Sequence, residues 1–156
     1  MQMALAFPDD ADLPAFFAEA AMTTMPWAYY DPTTNQPKPL TEEALAALQQ
    51  TLAANPAHPL ALHLLIHAVE PSRHPELALP AAEALARLPA GIGYGHLVHM
   101  PGHIFVRLGM YHRASEANAA AIALDREYFA ACDIQPEEGN YNAYYRCVWG
   151  GWDGPE

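Results

Sequence analysis

The sequence predicts an all-α fold in which antiparallel helix pairs stack one after another. Three observations predict it. Ala, Leu and Glu dominate the periodic stretches while β-branched residues are sparse, so helix propensity and helical patterning agree. Proline and asparagine punctuate the chain at short intervals, and a set of small and aromatic residues recurs with a period of about 34 residues. The chain has 156 residues, of which 52% are hydrophobic, enough for one sizeable core and a single domain over 1–156.

The pattern predicts helices over 9–22, 41–54, 58–70, 75–88, 95–108, 112–131 and 140–147. Asp9 and Asp10 are placed to cap the first of them, and Thr41, with Glu43 and Ala44 after it, to open the second beyond the proline-rich loop 30–39. Asn55-Pro56 and Pro71-Ser72 act as stops. Pro59 and Pro75 fall in first turns, where a missing amide proton is tolerated. Pro101 falls inside its helix and should kink it or delay its start. Short connections make consecutive helices antiparallel neighbours.

Gly109, Tyr111, Ala114, Ala121, Ile122, Leu124 and Asp125, with Gly102 and Phe105 before them, set the frame of the repeat. Moving it back by 36 residues puts Ala78 on Ala114, and a further 34 puts Ala44 on Ala78. A single helix pair leaves its apolar face uncovered, so pairs stack, with small residues where the axes cross. This run resembles the second half of a tetratricopeptide repeat. The resemblance implies a short right-handed α-solenoid with repeats over 58–90 and 95–131, atypical helices over 9–54 and an irregular tail over 140–156. That tail, which begins like another groove helix and gives way to Cys147-Val148-Trp149, suggests a truncated array completed by further repeats or a second copy of the chain.

Six of the eight histidines fall in two short segments. His63 and His67 are four apart, and His96, His99 and His103 follow at intervals of three and four, which holds the latter within about 60° of helical arc. Glu70 continues the stripe of His63 and His67. The offset of 36 that aligns the alanines also carries His63 onto His99 and His67 onto His103. The repeat resemblance implies that these positions, with those of His96 and Glu70, line a concave groove, where packed helix axes about 8 to 10 Å apart let two imidazoles meet through an ion. Imidazole and carboxylate are ligands for zinc, iron, copper and nickel. His63, His67, Glu70, His96, His99 and His103 are therefore the candidate ligands of a divalent transition metal, and Arg107, Tyr141 and Tyr145 the candidate groove contacts. A lone histidine on an apolar helix is usually a packing residue. Five in matched register are a different observation, with a metal-free polar groove as the rival. His58, His74 and His112 fall at helix ends, as caps or solvated side chains.

The segments His58-Pro59-Leu60-Ala61-Leu62-His63, Ile66-His67-Ala68-Val69-Glu70 and Gly95-His96-Leu97-Val98-His99-Met100-Pro101-Gly102-His103-Ile104 further resemble those of an uncharacterised group of longer, histidine-rich bacterial tetratricopeptide-like proteins. That group continues after its paired tyrosines with another histidine, where this chain has Arg146-Cys147 after Tyr144-Tyr145.

Other chemistry is poorly represented. There is no glycine-rich phosphate loop, no GxSxG, and no HExxH, because Leu64 follows His63 and the spacing runs HxxxHxxE. Cys132 and Cys147 lack CxxC spacing, and the aromatic group of Trp27, Tyr29, Tyr30, Tyr141, Tyr144 and Tyr145 reads as packing. Seven Lys and Arg stand against eighteen Asp and Glu, a net charge of -11, which disfavours nucleic acid and anionic lipid as partners. Met1 to Pro8 has no basic leader and no run reaches the length of a membrane span, so a cytoplasmic protein is expected. Three functions remain open: a binding or scaffold protein with a metal site in its groove, a metal-dependent enzyme using the same cluster on a small molecule, and a metal-free module binding a peptide or protein segment.

Overall fold

The computed structural model describes residue 7, residues 10–89, residue 91 and residues 94–131. These form α1 (Leu13–Thr23), α2 (Pro39–Ala54), α3 (Pro59–Val69), a 3-10 turn (Pro75–Ala78) running into α4 (Leu79–Ala86), α5 (Gly95–His99), α6 (Pro101–Arg107) and α7 (Tyr111–Ala131). The only β-pairing among the described residues is an isolated bridge between Tyr30 and Pro37, and none of their helices is long and apolar enough to cross a membrane. The helix expected over 140–147, with Tyr141, Tyr145, Cys132 and Cys147, lies outside the described residues.

Helix starts differ from expectation in two places. Pro39, not Thr41, opens α2, because a proline at the first helical position brings its own φ. Thr41 then points inward, where its hydroxyl donates to the Tyr29 carbonyl at 2.6 Å and anchors the proline-rich loop. Asp12, not Asp10, precedes α1 and makes no side-chain cap; Asp10 instead accepts from the Asp12 amide in a local turn, and Asp9 lies outside the described residues. Pro101 does break its helix: α5 ends at His99, Met100 is the joint, and α6 starts at the proline.

The core has two parts that meet on α3. Ala61, Leu64 and Ala68 face Ala15, Ala18, Ala44 and Leu48 of α1 and α2. Leu62, Ile66 and Val69 face Ala82, Leu85, Ile104, Phe105 and Ala114 on the other side. At about 100° per residue these two stripes occupy separate sectors of the helix, and the sector left between them carries His63, His67 and Glu70. Burial of the two apolar stripes thus fixes the rotation of α3 and aims its polar residues at one side.

The turn from α6 to α7 has a Schellman geometry. The Met110 amide donates to the Phe105 carbonyl at 2.8 Å and the Gly109 amide to that of Val106 at 3.1 Å, with Gly109 at φ 72°, a conformation that glycine adopts without a Cβ penalty. Arg113 reinforces the corner by stacking on the Phe105 ring, 4.0 Å from its centroid, and pairing with Glu83 at 3.1 Å. α7 consequently lies across α5 and α6 and presents Asn118 to the histidines.

Candidate metal centre

All five histidines in register come together. His63 and His67, one turn apart on α3, have ring centroids 4.8 Å apart. Across from them, His96 of α5 places its Nε2 3.2 Å from that of His63. His99 at the end of α5 and His103 of α6 bring their Nε2 atoms to 2.9 Å, an approach that survives the break at Met100. His67 links the two sets, with its ring 5.5 Å from that of His103. Glu70 is part of the cluster: its Oε1 lies 2.9 Å from His103 Nδ1 and its Oε2 3.9 Å from His67 Nδ1.

His63, His67 and His96 each offer a ligand atom within 4.8 Å of the others. A tetrahedral ion with bonds of about 2.0–2.1 Å holds its donors roughly 3.3 Å apart, which matches the His63 to His96 spacing of 3.2 Å. Buried polar atoms normally have partners, yet His67 Nδ1 and Glu70 Oε2 are buried and make no hydrogen bond among the described residues. Their 3.9 Å separation is too long for a hydrogen bond and is the kind of gap an ion or a water spans.

The electrostatics favour neutral rings. Burial, followed by the adjacent His67, His96 and His103, pushes His63 down to about 4. His67 is also lowered to about 4, by burial and then by His103, against the opposing pull of Glu70. His96 is the most solvent-exposed of the three, and partial desolvation and then His99 and His103 lower it as well. A neutral imidazole is the form that ligates a metal.

Three neighbours complete the site. Asn118 of α7 faces His99 Nδ1 through Oδ1 at 2.6 Å. Trp27, in a left-handed conformation at φ 62°, sets its ring edge against His67 with centroids 5.7 Å apart. A bulky residue rarely adopts that backbone region, so the loop before α2 is shaped to put the indole there. Asp125 lies against Gly95 at the start of α5, where any Cβ would meet its carboxylate.

None of these three was among the expected ligands or groove contacts, although Asn118 and Asp125 share a face with Ala114 and Ala121, the buried residues of α7, in steps of four, three and four. Arg107 is exposed and donates to the Ser72 carbonyl at 2.9 Å, tying α6 to the turn after α3. The helix-end histidines are elsewhere. His58 caps α3, accepting from the Ala61 amide and meeting Asp12 at 2.9 Å; His74 meets Glu76 and His112 meets Glu116 at the surface.

Compared with protein-family models, curated proteins and solved structures, the chain matches none.

Proposed function

We propose that the chain is a helical-repeat protein that binds one divalent transition metal ion, zinc, iron, copper or nickel, through His63, His67 and His96. The observation that carries this reading is the convergence of three imidazoles from two separate helices, with donor atoms within 4.8 Å. Two rings on one helix face are common. A third from a different element, meeting His63 at 3.2 Å, needs the fold to bring it there.

The repeat reading supports the proposal and is supported by it. Of the residues at an offset of 36, His67 and His103 come together, with ring centroids 5.5 Å apart, as stacked helix pairs of the tetratricopeptide kind would arrange them, whereas His63 meets His96 instead of His99. A solenoid groove lined this way takes a metal, and through the metal a small molecule or a protein segment. His96 reaches solvent, so three histidines leave a position open on that side. This favours, as a second reading, catalysis at a metal-bound water with Glu70 as the adjacent base.

The test is metal content by mass spectrometry on natively purified, untagged protein, beside His63→Gln and His96→Gln. At least one equivalent of metal is expected in the wild type, and each substitution should remove one. Metal-free protein that also refuses added zinc, copper and nickel would leave a metal-free groove for a peptide.

A further inference from the structure

The second pair of rings poses a problem in proton placement. A neutral imidazole has one N–H and one lone pair. His103 Nδ1 lies 2.9 Å from Glu70 Oε1, and a carboxylate only accepts, so Nδ1 carries the His103 proton. His99 Nδ1 lies 2.6 Å from Asn118 Oδ1, a carbonyl oxygen that also accepts, so Nδ1 carries the His99 proton. Both Nε2 atoms then present lone pairs, and these face each other at 2.9 Å. Two lone pairs at that distance repel unless they share a cation, which at about 2.0–2.1 Å from each nitrogen sits to one side of the line joining them.

We propose that His99 and His103 hold a second divalent transition metal ion through their Nε2 atoms, beside the ion held by His63, His67 and His96. The proposal builds on the metal reading of that neighbouring triad. Its surroundings are those of a constructed site. In metal centres a ligating histidine typically donates its other N–H to a carboxylate or carbonyl, which fixes the tautomer and the ring plane. Glu70 and Asn118 provide that for each ring, from α3 and α7, two elements that the core holds in place. The Glu70 and His103 side chains are only 20% and 25% exposed, so their contact is shielded.

The two ligand sets are contiguous, with His67 to His103 centroids at 5.5 Å and His96 to His99 centroids at 6.2 Å. Glu70 faces both: one oxygen is on His103, and the other is directed at His67. Its charge offsets part of the repulsion between two cations. Binding is therefore stepwise, with the second equivalent weaker than the first.

Two other occupants are possible for the space between the rings. A proton would make one ring an imidazolium. A turned Asn118 amide would let His99 donate through Nε2 directly to His103, with no cation present. Both predict that metal uptake ignores His99.

The experiment is a zinc titration of the full chain by calorimetry, with bound metal counted after desalting, on wild type, His99→Gln, His103→Gln and His96→Gln. Two equivalents are expected in wild type, and one in His99→Gln and in His103→Gln. Wild type saturating at one equivalent that His96→Gln removes and His99→Gln keeps would overturn the second position while leaving the triad intact. One equivalent lost only in His99→Gln and His103→Gln would uphold this pair and overturn the triad instead. No uptake by wild type overturns both.

Should the ligand variants lose helicity by circular dichroism, Asn118→Leu replaces them, since it keeps every ligand and removes only the acceptor on His99. It should weaken the second equivalent about 10- to 100-fold and leave the first unchanged. An unchanged second equivalent would contradict the assignment.

Discussion

His58 and His63 stand five residues apart, one capping α3 and the other within it, yet the fold uses them in opposite ways. His58 has both nitrogens engaged within the protein: Nδ1 accepts from the Ala61 amide and Nε2 meets Asp12. His63 turns its Nε2 to another imidazole, and burial followed by the neighbouring rings lowers its own proton affinity. A histidine with two fixed partners is part of the scaffold. One whose ring nitrogen faces other imidazoles is a ligand in waiting, and the contrast can be broken by experiment at either end.

The largest effect is expected from the double change His67→Ala plus His103→Ala, which removes the ring on each side of Glu70. Metal uptake should fall from stoichiometric to none while far-ultraviolet circular dichroism stays near wild type, because both side chains point away from the apolar stripes of α3 and α6. Retained uptake, measured by equilibrium dialysis, would break the comparison.

Acidification should give the next largest effect. The unfolded chain takes up protons on histidine near pH 6.5, whereas folded His63 and His67 take them up only near about 4. Across that window the unfolded state binds more protons, so stability falls as pH falls. Metal competes with the same protons. Bound zinc should persist from pH 7 to about 5 and leave as pH drops through about 4, whereas a chelate of ordinary exposed histidines begins to release it near pH 6.5. Zinc release followed with a chromogenic chelator distinguishes the two.

His58→Ala should act on the scaffold alone. Losing a helix cap costs about 1 kcal/mol, a fall in Tm of roughly 2–4 °C for a chain of this size, with metal stoichiometry unchanged. The smallest effect belongs to His112→Ala. Its side chain is 85% exposed beside Glu116, and such a pair contributes at most a few tenths of a kcal/mol, so thermal melts and metal uptake should both match wild type.

Much of this was legible in the sequence because helical periodicity determines which residues share a face. The stripe of His63, His67 and Glu70, the break at Pro101 and the helix-end placement of His58, His74 and His112 all follow from spacing and proline chemistry. The contribution of Asn118 did not, because it depends on how α7 crosses α5 and α6, a tertiary angle that no local pattern encodes. Trp27 was read as packing, since nothing in Met25-Pro26-Trp27 announces a left-handed tryptophan. Thr41 looked like a cap because its type suits one; Pro39 took the helix start and left the hydroxyl free to reach Tyr29.

X-ray absorption on the zinc-loaded, untagged protein tests the central claim most directly. The account predicts nitrogen or oxygen neighbours at about 2.0–2.1 Å, with the outer scattering pattern of several imidazoles. Sulfur neighbours at about 2.3 Å, or an oxygen shell without imidazole scattering, would contradict it.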